Sequence, residues 1–419
     1  MKILKLAICI LVAFSMTAEA QIFPQNAREY NPLLHTGQYL LVNTRPAQIG
    51  LGSIGVVSPE GQSQSGVSEN PASLVSSDHL YDVHASFVPW LKASNGDLIN
   101  FKTLGGSYRL AKRHAIGFNF THFDIGKSQF LSFATGDTIT YDPRELTFGI
   151  SYAFRLNDRW SIGGGLKYIH SDLFSKSLSQ VIGFDTQILR SVGLDLGVNY
   201  RSSQEFANGM ALFWQAGLAL QNMGPKATHF QNDTQKRFLP AIIRLGGLFG
   251  VAKQLDENQR LSLQFLLQLD KLMVPTPCND CDEDNNGLPD YADKTAFEGM
   301  IASFFDDHYG GEDFREIIQK VGFEAAYNWR NTWRLAARTG YHYQHPSKGN
   351  LHFLSFGLGV AFKGLYMDMA YVLDRNPGPM DIPQHKKLAV SLGYRQALGA
   401  TFGHGASTPE MGATPALLP

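Results

Sequence analysis

Residues 144–172 read RELTFGISYAFRLNDRWSIGGGLKYIHSD, and this stretch decides the fold. In its first half every second residue is apolar, and the residues between are mostly small or polar. The apolar positions are Leu146, Phe148, Ile150, Tyr152, Phe154 and Leu156. The positions between them are Thr147, Gly149, Ser151, Ala153 and Arg155. Because side chains of a strand alternate between its two faces, the pattern predicts a β-strand with one apolar face, followed by a turn at Asn157-Asp158.

The same period of two recurs along the chain and predicts about fourteen antiparallel strands. They are placed at 80–91, 99–110, 114–125, 144–156, 159–172, 190–202, 208–223, 239–253, 259–272, 314–329, 332–344, 351–363, 364–374 and 385–397. Segments of about ten residues with this alternation, in even number, are typical of outer-membrane β-barrels. The sequence therefore predicts an all-β fold, a transmembrane outer-membrane barrel. A large soluble β-sandwich or β-helix is the alternative, but a sandwich shows turn signals at shorter and more even spacing.

The two faces of these strands indicate which side meets lipid. The polar faces carry mainly Gly, Ser, Ala and Asn, with isolated charges at Lys167, Asp195, Glu324, Arg334, Arg338 and Asp368. Such faces suit a crowded lumen, whereas the apolar faces suit lipid. We expect Arg334 and Arg338, which share one face, to pair with Glu324 or Asp368.

The start of the chain is typical of a secretory signal peptide. Lys2 and Lys5 precede the apolar run 6–14, and Ala18-Glu19-Ala20 predicts cleavage between Ala20 and Gln21. No later apolar run reaches the roughly 20 residues of a membrane-spanning helix. The formal net charge is −1, from 36 Lys and Arg against 37 Asp and Glu, which argues against a nucleic-acid partner.

Connection lengths and composition predict the domain organisation. Short and long connections alternate, and the longest is 273–313; in outer-membrane barrels the short turns are periplasmic and the long loops extracellular. Both termini are then expected in the periplasm. Residues 1–20 are the signal peptide, 21–79 a plug or periplasmic segment, 80–397 the barrel and 398–419 a disordered tail. Within the plug, Gly50-Leu51-Gly52-Ser53-Ile54-Gly55 predicts a tight turn rather than a dinucleotide site, since Pro59 interrupts the helix that such a site needs.

The long loop holds the sharpest local motif. Its residues fit a Ca²⁺-binding loop, D-x-[DN]-x-[DN]-G, and the ligands would be Asp282, Asp284, Asn286, the carbonyl of Leu288, Asp290 and Asp293. A weak Ca²⁺ site is predicted, with a solvated acidic loop as the alternative; no other cofactor is required. Cys278 and Cys281 stand at its entry, and we favour a local disulfide over two free thiols.

The run 295–306 in the same loop predicts a short helix with apolar side chains. Met300, Ile301, Phe304 and Phe305 are candidate cargo-binding residues, and a self-packed loop helix is the alternative. The sequence holds no G-x-S-x-G nucleophile motif and no other catalytic constellation. An enzyme such as a lipid A deacylase is therefore the weakest of the functional hypotheses.

Several blocks of sequence resemble one family. They are 39–43, 50–56, 69–72, 113–126, 158–173, 269–277, 316–329 and 340–362. Together they resemble the PorV family, the outer-membrane barrels of the type IX secretion system of Bacteroidetes, which is similar to the FadL-type transporters. The resemblance spans nearly the whole mature chain.

The resemblance implies a fourteen-stranded barrel with an N-terminal plug and no enzymatic activity. It implies partners as well: outer-membrane lipid, the type IX translocon and sortase components, and cargo proteins with C-terminal signal domains held at extracellular loops. The barrel would carry cargo from the translocon to the cell-surface sortase complex. The alternative is a FadL-like transporter of hydrophobic small molecules, which needs a continuous apolar pocket in the lumen.

Overall fold

A computed structural model describes twelve segments of the chain. These are residues 31–62, 69–77, 79–92, 97–131, 138–174, 185–231, 236–278, 281–283, 289–306, 312–330, 332–374 and 387–397. The predicted signal peptide 1–20, its cleavage site at Ala20 and Gln21, and the tail 398–419 lie outside them. Within these segments no helix has the length and apolar character needed to cross a bilayer.

Sixteen strands follow one another along the described chain. They are β1 His79–Lys92, β2 Leu98–Ala111, β3 His114–Asp124, β4 Ser128–Leu131, β5 Thr138–Tyr141, β6 Arg144–Arg155, β7 Trp160–Asp172, β8 Leu189–Glu205, β9 Met210–Met223, β10 Ile242–Asp256, β11 Gln259–Leu272, β12 Ile318–Trp329, β13 Trp333–Tyr343, β14 His352–Phe362, β15 Leu365–Asp374 and β16 Lys387–Ala397. All except β4 and β5 form one closed antiparallel barrel, in which β1 pairs with β16. The prediction of fourteen barrel strands is confirmed.

Within the described residues, seven helices lie before β1 or in the connections between strands, and all are short. The α-helices are Pro46–Ile49, Asp290–Asp293, Ala296–Ala302 and Glu312–Arg315, and the 3₁₀ helices are Gln38–Leu41, Pro71–Ser76 and Pro346–Lys348. The hairpin of β4 and β5 lies within the connection between β3 and β6.

The two faces of the barrel strands point in the predicted directions, the apolar face outward and the polar face into the lumen. Outward apolar side chains remain exposed, as in Leu166 and Leu392, while inward polar ones such as Asp195 and Gln264 are buried. An apolar exterior and a polar interior are the reverse of a soluble sandwich, and they match a barrel whose outer surface meets lipid.

The barrel has two unlike ends. At the short-turn end the connections are 112–113, 156–159, 206–209, 257–258, 330–332 and 363–364. At the long-loop end they are 93–97, 125–143, 173–188, 224–241, 273–317, 344–351 and 375–386.

The segment before β1, which is described at 31–62 and 69–77 and is called the plug segment below, passes through the lumen. The backbone N–H of Asn31 donates to the Ser347 carbonyl at the long-loop end, 3.0 Å away. Midway, a Cβ on Gly50 would lie 2.8 Å from the Cα of Gly357, so the segment touches the wall backbone. Near the short-turn end, Arg395 donates to the Gly61 carbonyl at 2.7 Å. The turn at 50–55 predicted from its glycines is present, with Gly52 at φ +72°.

The path of the chain places the two described ends at opposite ends of the barrel. Strand β16 ends at Ala397 at the short-turn end. The first described residue, Asn31, lies at the long-loop end, because the segment enters the lumen there and leaves it at the start of β1. The periplasmic position of both termini stays a prediction, since residues 1–30 and 398–419 lie outside the described residues. The plug boundaries 21–79 stay a prediction, since 21–30, 63–68 and 78 lie outside the described residues.

Buried ion pairs fasten the segment and the wall. Arg244 on β10 pairs with Glu69 of the segment and, at 3.3 Å, with Asp270 on β11. Lys320 lies 2.7 Å from Asp270 and donates to the Ser53 carbonyl at 3.1 Å. Pairing in this buried lumen compensates each charge for its lost hydration.

The prediction that Arg334 and Arg338 pair with Glu324 or Asp368 is confirmed. Arg334 lies 2.6 Å from one carboxylate oxygen of Glu324, and Arg338 lies 2.7 Å from the other. Arg338 also bonds Asp368 at 2.7 Å. Glu324 is fully buried, so its charge depends on both arginines.

Candidate functional site

The connection 273–317 at the long-loop end is tied firmly to the barrel mouth. Glu316, whose side chain is fully buried, binds Lys271 of β11 at 2.5 Å and the hydroxyl of Thr276 at 2.8 Å. The same carboxylate lies 3.0 Å from Lys348, in the neighbouring connection 344–351. The Glu316 side chain therefore joins both ends of the connection 273–317 to strand β11 and to the neighbouring connection 344–351.

The helix Ala296–Ala302 within this connection is held by local signals. Thr295 and Glu298 form a capping box, in which each side chain accepts the other residue's backbone N–H. Hydrogen bonding of Thr295 to the exposed Glu298 carboxylate holds the pKa of that carboxyl below its usual value. Gly299 faces Phe238, and an added Cβ would come within 2.4 Å of that ring, so only glycine fits this contact.

The helix and the residues after it display large apolar side chains to solvent. Phe305 is 83% exposed, Phe314 80%, Phe297 68% and Ile301 50%. We call these four residues the loop apolar patch. Phe297 and Ile301 are four positions apart on the helix and therefore share one face. Large exposed apolar side chains on a loop fixed in place are typical of an interaction surface.

The four residues predicted to bind cargo differ in how far their side chains are exposed. Ile301 and Phe305 belong to the loop apolar patch. Phe304 is 39% exposed, with the Lys271 ammonium 5.6 Å from its ring centroid, and Met300 is half-buried. Phe297 and Phe314 were missed, although the helical spacing of Phe297 and Ile301 was a signal that could have found the first.

The predicted Ca²⁺ loop is described only in part. Asp282, Asp290 and Asp293 are described, whereas Asp284, Asn286 and Leu288 lie outside the described residues. A carboxylate oxygen of Asp290 accepts the backbone N–H of Glu283 at 3.1 Å, and the backbone N–H of Asp290 donates to the Cys281 carbonyl at 2.7 Å. Over the residues that the structure covers, no cluster of three or more His, Cys, Asp or Glu is placed to hold a metal.

Covalent and charged contacts surround the entry of that loop. Cys278 and Cys281 are joined by a disulfide, with Cα atoms 5.6 Å apart. Lys226, from the connection 224–241, donates to the carbonyls of Ala292 and Lys294, and burial lowers the pKa of its ammonium. The loops of the mouth are thus bound to one another as well as to the strands.

Asp306 completes the anchoring of the long loop. Its carboxylate accepts the backbone N–H of Thr276 at 2.6 Å, which joins the end of the helical run to the start of the connection. Burial raises the pKa of the Asp306 carboxyl above its usual value.

The lumen below the mouth offers a small cavity of mixed character. It has a volume of about 60 Å³ and lies between the plug segment and strands β3, β6 and β7. Its lining includes the apolar side chains of Leu40 and Val42 as well as Asn43, Glu69 and Lys167. A cavity this small and only partly apolar differs from the larger apolar pocket that a hydrophobic ligand needs.

Two kinds of comparison relate the chain to known proteins. The solved structure of the CymD monoaromatic hydrocarbon channel is 13% identical, with a TM-score of 0.41, and the match covers 85% of this chain and 98% of that one. A Pseudomonas aeruginosa FadL homologue is 11% identical, with a TM-score of 0.37, covering 87% and 99%. No curated protein matches the sequence.

A family model gives the assignment. The model described as Type IX secretion system protein PorV matches residues 25–279, more than half of the chain. The matched range includes the plug segment and the first nine barrel strands, up to β11. The chain therefore belongs to the PorV family of type IX secretion system outer-membrane proteins.

Proposed function

We propose that the barrel receives secreted cargo at its long-loop end and carries it, without catalysis, from the type IX translocon to the cell-surface sortase complex. The cargo's C-terminal signal domain would bind the loop apolar patch. The observation that carries this proposal is the exposure of Phe297, Ile301, Phe305 and Phe314 on a loop fixed by Glu316. A fixed surface binds at a lower entropic cost than a loop that must first become ordered.

The proposed orientation follows from the connections. Bacterial outer-membrane barrels have short periplasmic turns and longer extracellular loops. The long-loop end, with 273–317 and the loop apolar patch, would face outward, and the C-terminal end of β16 would face the periplasm. Cargo leaving the translocon would then meet the patch on the outer surface.

The alternative, a FadL-like transporter of hydrophobic small molecules, is less well supported. The plug segment lies in the lumen, and buried charges such as Glu69, Arg244 and Asp270 line its path. An apolar solute crossing this region would leave these charges without part of their hydrogen bonding, at high energetic cost. The interior therefore favours a receptor whose working surface is at the mouth.

Replacing two patch residues tests the proposal. The double variant Phe305→Ser/Phe314→Ser should recover at least about thirtyfold less cargo in a pull-down from native membranes, since truncating one such interface aromatic costs about 2 kcal/mol or more and each 1.4 kcal/mol is a factor of about ten. Both side chains are exposed, so the barrel should still form. Quantitative mass spectrometry of proteins with C-terminal signal domains gives the readout.

Phe206→Ser is the matched control, because Phe206 is also exposed but lies at the short-turn end. Its cargo recovery should equal that of the wild type. Equal recovery by all three proteins would remove the loop apolar patch from the proposal. Recovery of bound fatty acid, with no cargo protein, would favour the transporter instead.

We also propose that the acidic loop 282–293 binds Ca²⁺ weakly. Calorimetry of the detergent-solubilised protein should show Ca²⁺ heat in the range of about 0.1–1 mM, the affinity of extracellular Ca²⁺ modules. Asp290→Asn, which removes one carboxylate, should reduce the affinity, whereas Asp158→Asn at the short-turn end should not. Absence of heat at millimolar Ca²⁺ would leave a solvated acidic loop.

A further inference from the structure

The connection 273–317, which carries the loop apolar patch, is strongly acidic. It holds twelve Asp and Glu against two Lys and Arg, a formal charge of −10. The remaining residues carry +9, since the whole chain has −1. All seven connections at the long-loop end together carry −8, whereas the six at the short-turn end carry +3. The negative charge of the protein is therefore concentrated in the loop that displays the loop apolar patch.

Cations from neighbouring elements compensate only part of this charge. Lys271 of β11 pairs with Asp313 and Glu316, and Lys348 pairs with Glu316 as well. Lys226 donates to two backbone carbonyls of the acidic connection. Counting all three lysines against the connection leaves a formal charge of −7, and a bound Ca²⁺ would leave −5. This total charge does not depend on which local hydrogen bonds the individual acids make.

Acidic side chains are exposed beside the loop apolar patch. Glu298 follows Phe297 on the same helix and is exposed. Asp293, shortly before that helix, and Glu283 are exposed too. Hydrogen bonding to Thr295 lowers the pKa of the Glu298 carboxyl, so this side chain stays ionised. The loop apolar patch is therefore flanked by negative charge.

We propose that the cargo surface bound by the loop apolar patch is cationic as well as apolar, with Lys or Arg side chains around the apolar ones. This inference rests on the proposed function, the binding of cargo at that patch. Apolar contact holds the two surfaces together, while opposite charge speeds their encounter and rejects acidic proteins. A cationic surface is favoured over a neutral one, because a neutral partner would remove water from the acids without replacing it by an opposite charge.

Association kinetics test the charge of the partner. The probe is the most abundant cargo protein from the pull-down, and it binds the full-length mature protein in detergent, with a chelator that removes Ca²⁺. The triple variant Glu283→Gln/Asp293→Asn/Glu298→Gln should lower the association rate constant about tenfold and change the dissociation rate little. Glutamine can replace glutamate in a capping box, so the helix should remain. Raising the ionic strength from about 0.05 to about 0.5 M should slow association of the wild type more than that of the variant.

Asp97→Asn/Asp142→Asn/Asp185→Asn is the matched control, since these acids are exposed in other connections at the same end. Its association rate should equal that of the wild type. Equal slowing by both triple variants would show general charge attraction and overturn the role of this loop. An acidic-loop variant that associates as fast as the wild type would overturn the inference, and so would a wild-type rate that does not respond to salt.

The variant Phe305→Ser/Phe314→Ser separates this inference from the proposed function. Loss of apolar contact should raise the dissociation rate of the cargo rather than lower the association rate. An unchanged dissociation rate in that variant would contradict cargo binding at the patch. A raised dissociation rate there, together with unchanged association in the acidic-loop variant, would contradict only the charge assigned to the cargo.

Discussion

At the scale of single residues, one buried carboxylate organises part of the lumen. Glu324 accepts from Arg334 and Arg338, and Arg338 also binds Asp368. The sequence predicts this pairing because strand alternation places all four side chains on inward faces. The pairing of Glu69 with Arg244 was not predictable in this way, since it depends on the path of the plug segment through the lumen.

Neutralising this carboxylate should destabilise the barrel strongly. Glu324→Gln leaves Arg334 without its partner and Arg338 with Asp368 alone. We expect a loss of roughly 3–5 kcal/mol in the free energy of unfolding, the usual cost of breaking a buried ion pair. Urea unfolding in lipid vesicles, followed by tryptophan fluorescence, gives the measurement.

Glu60→Gln provides the comparison for that experiment. Glu60 pairs with Arg260, and their side chains are 40% and 32% exposed. Water and salt screen such a pair, so its loss should cost below about 1 kcal/mol. Equal destabilisation by both variants would contradict the importance assigned to the buried cluster.

At the scale of elements, the alternation of apolar and polar residues predicts the bounds of the barrel strands to within a few residues. The largest difference at a strand start is β12, predicted from 314 but observed from Ile318. The helix Glu312–Arg315 occupies the earlier residues, and Phe314 on it is exposed rather than part of the wall. Periodicity alone could not separate this single helical turn from the strand that follows it.

The contact of the plug with the wall requires glycine on β13. A Cβ on Gly340 would lie 2.0 Å from the backbone nitrogen of Gly52. Backbone atoms cannot move away by changing rotamer, as the end of a side chain can. Gly340→Ala should therefore displace the plug segment and lower the free energy of unfolding by about 1–3 kcal/mol, the usual penalty of overpacking. Limited proteolysis of the detergent-solubilised protein should show faster cleavage within the plug segment.

Gly247→Ala is the matched substitution on β10. Its added Cβ would have an ordinary contact, 3.8 Å from the Gln215 carbonyl oxygen. Stability and proteolysis should therefore match those of the wild type. A plug cleaved equally fast in Gly340→Ala and the wild type would contradict the close packing described at this contact.

At the scale of the whole molecule, the sequence predicts the closed barrel and the alternation of short and long connections. It does not predict the course of the chain before β1. The 14 residues between Thr44 and Pro59 contain no period-two pattern, and their position depends on contacts with side chains of distant strands, such as Gln268 on β11. The carboxamide oxygen of Gln268 accepts hydrogen bonds from the backbone N–H groups of Gly55 and Val56, each at 3.0 Å.

The two ends of the barrel differ in the side chains that they present. The long-loop end carries the loop apolar patch on a connection anchored by Glu316. At the short-turn end, Arg109, Arg155 and Arg201 donate to the carbonyls of Val75 and Ser76, near the end of the plug segment.

Site-specific photocrosslinking in living cells tests the central claim, that cargo binds at the long-loop end, most directly. A photoreactive phenylalanine analogue replaces Phe305 in one strain and Phe206, at the short-turn end, in another. The account predicts an adduct between position 305 and the C-terminal signal domain of a secreted protein, and none at position 206. Cargo adducts at position 206 alone, or at neither position, would contradict it.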